Sequence, residues 1–263
     1  MNVAIILAAG QGKRFGTDMP KQFIEVLGKP LLAYTLEVFQ GSPDIDAILV
    51  ACQPEYRDRI VGIIRDYRID KIRWITEGGS TRSASFRNAV FALRESLDDD
   101  DIVVAHTGVS PLVSPEDIAS AIAMCAEKGC CFTMHPVRAC MARGGGDGWA
   151  DRDAPREKYI ELNAPWAFRY GDVYELYRRL DAEGRALSEA DYTLGLWLEA
   201  GHRAWYVPGS EAGRLKITTS HDRDLFEGYL LLKGAGTGRL PQSGLSASQL
   251  PQGGSHTIPE ACQ

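Results

Sequence analysis

No part of this chain of 263 residues is apolar for the ~18 residues that a membrane span needs. The apolar run near its start, residues 3–9, is too short for the core of a secretory leader and lacks a cleavage pattern. Basic residues are in the minority, 29 Lys and Arg against 35 Asp and Glu, for a formal net charge of −6. That balance argues against the broad basic face that nucleic acid or an anionic membrane would require. The six cysteines, Cys52, Cys125, Cys130, Cys131, Cys140 and Cys262, form no C-x-x-C pair and have no histidines at zinc spacing. They read as small hydrophobes of a reducing compartment. The expectation is a cytoplasmic globular protein, with neither nucleic acid nor membrane as partner.

Two familiar phosphate loops are missing as well. Gly12-Lys13 is followed by Arg14 where the Walker pattern needs Ser or Thr. Gly10-Gln11-Gly12-Lys13-Arg14 then puts Phe15 where the dinucleotide fingerprint needs its third glycine, with Gly16 one residue late. What stands there instead is the strand-like run Val3-Ala4-Ile5-Ile6-Leu7, breaking into Ala8-Ala9-Gly10-Gln11-Gly12-Lys13-Arg14, followed by Pro20-Lys21-Gln22-Phe23. A strand that stops at small residues lets the backbone approach a ligand, and freed N–H groups can face phosphate oxygens. Lys13, Arg14 and Lys21 add positive charge that can converge on a polyphosphate.

With 44% hydrophobic and 24% charged residues, the chain is long enough for one large core. Strand-length apolar runs at 3–7, 47–52, 71–76 and 101–106 alternate with helical patterns near 31–39, 55–67, 80–96 and 115–128. This is the signature of an α/β fold with a mostly parallel sheet and helices on both faces, with ligands at the carboxyl ends of the strands. The segment 131–134 reads as a buried strand, and the glycine-rich, mixed-charge stretch of about 138–162 reads as a protruding β-arm. Helices near 171–180, 189–200 and 222–232 and a strand at 204–207 follow. The expected organisation is one domain over 1–235 and a disordered tail over 236–263, rich in Gly, Ser, Gln and Pro.

Taken in order, Leu7-Ala8-Ala9-Gly10-x-Gly12-x-Arg14, Pro20-Lys21-Gln22, Gly78-Gly79-x-x-Arg82-x-x-Ser85 and Leu215-Lys216-Ile217-Thr218 resemble the cytidylyltransferases that make CDP-linked polyols, with the match running over about 2–232. The nearest branches act on 2-C-methyl-D-erythritol 4-phosphate and ribitol 5-phosphate. The resemblance implies a Rossmann-like nucleotidyltransferase sheet and an in-line attack by a substrate phosphate oxygen on the α-phosphorus of CTP. Pyrophosphate leaves, and Mg²⁺ bridges the triphosphate. Such chemistry is mainly positioning and charge neutralisation.

By the same resemblance, Arg14 and Lys21 stabilise the α-phosphorus, and the backbone of Leu7, Ala8, Ala9, Gly10, Gln11, Gly12 and Lys13 holds the triphosphate. Gly79, Arg82 and Ser85 line the base and ribose pocket. His106 and Thr107 stand at the nucleotide end of their strand, where His106 either touches ribose or is a satisfied structural histidine. Lys216 holds the substrate phosphate together with Arg156. In relatives the arm arginine crosses a dimer interface, so a homodimer formed through the arm is implied.

The family's turn His-Asp-x-x-Arg-Pro is here His106-Thr107-Gly108-Val109-Ser110-Pro111. A carboxylate and a guanidinium are lost together, so charge balance is kept while Thr107 and Ser110 alter acceptor recognition. Asp191 lies one place from the family's next aspartate, and Asp191 or Asp18 is the candidate support for a metal whose ligands stay open. Three readings remain: a cytidylyltransferase for a different phosphate or phosphonate acceptor, a polyol-phosphate enzyme tolerant of these changes, or an inactive nucleotide-binding homologue. A sugar-phosphate nucleotidyltransferase using another NTP is the competing class.

Overall fold

The computed structural model describes residues 1–10, 19–188 and 190–236. Gln11, Gly12, Lys13 and Arg14, Asp18, and the segment 237–263 lie outside the described residues, as does Glu189.

Strand β1 (Asn2–Leu7) opens the chain, and a single 3-10 turn (Lys21–Phe23) leads into a small hairpin of β2 (Glu25–Val26) and β3 (Lys29–Pro30). Next come α1 (Leu31–Gly41), β4 (Ala47–Cys52), α2 (Arg57–Tyr67), β5 (Ile72–Glu77), α3 (Arg82–Ala92), β6 (Ile102–Thr107), α4 (Pro115–Lys128) and β7 (Cys130–Pro136). Strands β8 (Met141–Gly146) and β9 (Trp149–Ala154) pair only with each other. The chain closes with β10 (Ile160–Arg169), α5 (Tyr170–Ala182), α6 (Thr193–Glu199), β11 (Tyr206–Pro208) and α7 (Ser220–Gly236).

Seven strands form the main sheet in the order β11-β7-β10-β6-β1-β4-β5. β1 lies parallel to both neighbours, Ile5 pairing with Leu49 on one side and Ala105 on the other. Alternate side chains of a strand point to opposite faces, so Ala4 and Ile6 enter one core while Val3 and Ile5 enter the other. Both faces are covered, which is why β1, β4 and β6 can be continuous apolar runs. Each isoleucine so buried contributes on the order of 2 kcal/mol.

The expected α/β architecture is present, with three differences of detail. β10 was not foreseen: Asn163 and Pro165 interrupt its pattern, and the structure absorbs them in a register shift between Asn163 and Trp166. It runs antiparallel to both β6 and β7. The helix expected over 189–200 begins only at Thr193. The Asp191 carboxylate accepts from the Ser188 amide at 2.7 Å and from its hydroxyl at 2.6 Å, closing a turn that holds the preceding residues out of the helix. The helix expected over 80–96 runs from Arg82 to Ala92, because the Thr81 hydroxyl caps it by accepting from the Ala84 N–H at 3.0 Å.

Of the arm expected over about 138–162, β8 and β9 form a hairpin, while Ile160, Glu161 and Leu162 pair with β7 as part of β10 in the main sheet. The tip of the hairpin turns through Gly146, Asp147 and Gly148, with φ of +91°, +49° and +83°, which the two glycines adopt without a Cβ penalty. Trp149 at the tip is 57% exposed. No described helix is long and apolar enough to cross a membrane.

Candidate active site

Strand order changes direction at β1, and the carboxyl ends of β1, β4, β5 and β6 open onto one cavity of about 530 Å³. Its floor is Leu7, Ala8, Ala9 and Gly10, continuing β1. One wall is Gly79, Ser80, Thr81, Arg82 and Ser85 at the start of α3, and the opposite wall is Lys21, Gln22, Thr107, Val109, Lys216 and Thr218. Four motifs separated by up to two hundred residues therefore surround one space.

Close backbone approach explains the glycines. A Cβ on Gly78 would sit 2.1 Å from the Ala9 Cβ, and one on Gly79 would sit 2.5 Å from the Ala84 Cβ and 2.9 Å from the Ser85 nitrogen. The Ser85 hydroxyl accepts from the Gly79 N–H at 3.0 Å and donates to the Thr81 carbonyl at 2.9 Å, so it holds the turn as well as lining the cavity. The Arg82 guanidinium lies 5.2 Å from the centre of the Tyr192 ring, and the Ser83 hydroxyl donates to the Asp191 carbonyl. The loop before α6 is thereby fastened to the rim of the cavity beside the start of α3.

On the other wall, the Lys21 ammonium donates to the Ile217 carbonyl at 3.1 Å, and the Ile217 N–H donates to the Val109 carbonyl at 2.8 Å. These bonds bring the last motif against the turn after β6. In that turn the Thr107 and Ser110 hydroxyls bond each other at 2.8 Å, and Ser110 is buried. His106 is buried behind them. Its Nε2 is 2.9 Å from the Ser110 carbonyl oxygen, which requires the proton on Nε2, and its Nδ1 has no partner among the described residues. Burial pushes the His106 pKa down to about 4, so the ring is neutral near pH 7. It is absent from the cavity wall and holds the turn from behind.

Asp191 and Arg156 do not line this cavity. The Asp191 carboxylate is occupied by Ser188 and by Arg185 at 3.1 Å, and the Ser188 hydrogen bonds keep it below the usual carboxylate range. Arg156, at the base of the arm, donates to the Arg138 carbonyl at 2.9 Å. Among the described residues, no group of three or more His, Cys, Asp or Glu could hold a metal, and the described cavity wall has three cationic side chains and no carboxylate. The described donor set does not fit a magnesium ion held by the protein.

Residues 2–231 match the family model for IspD, 2-C-methyl-D-erythritol 4-phosphate cytidylyltransferase. The chain belongs to this cytidylyltransferase family. It is 34% identical over 230 residues to a ribitol-5-phosphate cytidylyltransferase of Lacticaseibacillus paracasei, covering 88% of this chain and 98% of the relative. It is also 34% identical over 236 residues to a 2-C-methyl-D-erythritol 4-phosphate cytidylyltransferase of Clostridium acetobutylicum, covering 89% and 98%. The crystal structure of 4-diphosphocytidyl-2C-methyl-D-erythritol synthase from Anaerococcus prevotii superposes with a TM-score of 0.71 at 26% identity, over 87% of this chain and 95% of that one.

Within this cytidylyltransferase framework, the cavity includes wall residues to which the sequence reading assigned no role. Gln53, at the end of β4, carries no motif of its own. Gln22 was noted only as part of Pro20-Lys21-Gln22, although a glutamine beside a basic residue in an otherwise apolar turn is the signal that could have marked it. Val109 and Thr218 join the wall only because the Ile217–Val109 bond brings their segments together.

Proposed function

We propose that this member of the family transfers the cytidylyl group of CTP to the phosphate of a small phosphorylated polyol, of the ribitol 5-phosphate or 2-C-methyl-D-erythritol 4-phosphate type, releasing pyrophosphate. The observation that carries this reading is the convergence of Lys21, Lys216, the loop after β1 and the start of α3 on one cavity. An acceptor phosphate oxygen forms a bond to the α-phosphorus of CTP as the bond from that phosphorus to the β-phosphate bridging oxygen breaks. The attacking oxygen is already ionised near neutral pH, so the reaction needs no general base.

Each residue then has a physical role. Lys21 neutralises charge that develops on the transferring group, and Lys216 holds the acceptor phosphate in line. Gly79, Arg82 and Ser85 bind the base and ribose. Arg14 would join Lys21 from outside the described residues. A divalent cation would ride on the triphosphate oxygens, since the described wall supplies cations and hydroxyls to phosphate. Two copies would associate through their arms, each arm bringing Arg156 towards the other's acceptor; the exposed Trp149, Tyr159 and Ile160 support such a contact. A reaction that draws on CTP belongs in the cytoplasm.

The test is pyrophosphate release by the purified full chain with each of CTP, UTP, GTP and ATP, against ribitol 5-phosphate, 2-C-methyl-D-erythritol 4-phosphate and a panel of phosphonates. Turnover with CTP and one polyol phosphate is expected. A purine preference, or tight CTP binding without turnover on any acceptor, would overturn the proposal.

A further inference from the structure

We propose that Gln22 and Gln53 are positioning residues that turn the carbonyl oxygens of the loop after β1 away from the triphosphate, leaving that loop's N–H groups to meet the anion. This rests on the cytidylyl-transfer reading above.

The backbone accounting of the loop leads to it. The Leu7 carbonyl accepts from the Gly108 N–H at 2.9 Å, and the Ala8 N–H donates to the Ala51 carbonyl at 2.8 Å. The next two carbonyls have no backbone donor among the described residues. The Ala8 oxygen accepts instead from Gln22 Nε2 at 2.6 Å, and the Ala9 oxygen from Gln53 Nε2 at 3.3 Å. In contrast, the N–H groups of Ala9 and Gly10 are bonded to no described residue, while both residues line the cavity.

A carbonyl oxygen carries partial negative charge, so one facing a polyphosphate repels it and one facing a donor does not. The two glutamines come from different elements, Gln22 from the 3-10 turn that also sets Lys21, and Gln53 from the end of β4. They therefore grip consecutive carbonyls from two directions. A neutral side chain with an N–H donor serves this role. A carboxylate of the same length would place an acceptor against an acceptor beside the bound anion. Gln22 is 2% exposed, and a buried carboxamide without its partner would cost stability, so its place against Ala8 is fixed.

The experiment is titration calorimetry of wild type, Gln22→Ala, Gln22→Glu and Gln53→Ala with CTP, CMP and inorganic tripolyphosphate, alongside melting temperatures. CMP carries one phosphate and CTP three, so an effect exerted on the polyphosphate should weigh more on CTP and tripolyphosphate than on CMP. Gln22→Glu is expected to weaken CTP and tripolyphosphate by about tenfold or more and Gln53→Ala by about threefold to tenfold, with CMP affinity within about twofold. A general loosening of the fold would lower all three affinities together. Equal losses for CTP and CMP, or CTP binding within about twofold of wild type in all variants, would overturn the proposal. Should the Gln22 variants fail to fold, Gln53→Ala decides, since Gln53 is only half-buried. A wild-type protein that binds tripolyphosphate but not CTP would overturn the cytidylyl reading alone, and the clamp would then stand or fall on the tripolyphosphate ratios.

Discussion

The Lys21 ammonium donates to the Ile217 carbonyl at 3.1 Å, joining residues 196 positions apart in the chain. The bond holds the lysine on the same wall as Lys216, at the end of the sheet where β1 and β6 stop. A lysine that is already positioned needs little reorganisation when charge develops on a transferring phosphoryl group, which is where preorganised donors contribute most.

Lys21→Ala should therefore cut kcat by about a hundredfold or more while leaving CTP affinity within about tenfold, the pattern of a group acting mainly in the transition state. Steady-state kinetics combined with equilibrium CTP binding separates the two quantities. Equal losses in both would assign Lys21 to ground-state binding.

The Thr107–Ser110 hydroxyl pair should behave as one unit. Thr107→Val keeps the side-chain shape but leaves the buried Ser110 hydroxyl without this partner, at a cost of about 1–3 kcal/mol. In urea unfolding, the Thr107→Val, Ser110→Ala double variant should lose less than the sum of the single losses. The acceptor KM should change in these variants, with CTP affinity within about threefold.

His106 should make the protein acid-sensitive. Its pKa is about 4 in the folded protein, lowered by burial and by Lys216, and near 6.5 unfolded. The unfolded chain then binds the extra proton first, so stability falls as pH drops from about 6.5 towards about 4, by roughly 3 kcal/mol over the window. His135 is also shifted down by burial and adds to the same slope. Denaturant midpoints measured across this range should flatten in His106→Asn, and an unchanged slope would remove His106 as the cause.

Two glycines of the cavity should respond differently to an added methyl group. Gly79→Ala puts a Cβ against Ala84 and Ser85 and should destabilise by about 1–3 kcal/mol while weakening CTP binding. Gly10→Ala meets no described atom within 4 Å of its Cβ and should leave the unfolding midpoint nearly unchanged, within about 0.5 kcal/mol. Thermal melts of the two variants, with and without CTP, check the contrast.

Much was legible in the sequence because its signals are local. The apolar runs of β1, β4 and β6 are continuous since both sheet faces are covered, and the small residues after β1 mark a backbone approach that any order of strands would need. The motifs around Lys21, Arg82 and Lys216 could be matched in order to the family they resemble, and they meet at one cavity. The arm announced itself through Gly146-Asp147-Gly148, whose positive φ values are set by the chain itself.

Tertiary structure decided the rest, for reasons of partnership. β10 is a strand because β6 and β7 flank it and accept its bulge, although its own sequence contains Asn163 and Pro165. Asp191, which looked like a metal or substrate ligand, is occupied by Ser188 and Arg185, and no spacing rule reports which donors reach a carboxylate first. Gln22 and Gln53 join the cavity wall only once distant segments pack, where they donate to the Ala8 and Ala9 carbonyls, which have no backbone donor among the described residues. Side-chain identity is written in the chain, but the polar group each side chain must satisfy exists only after distant segments have packed.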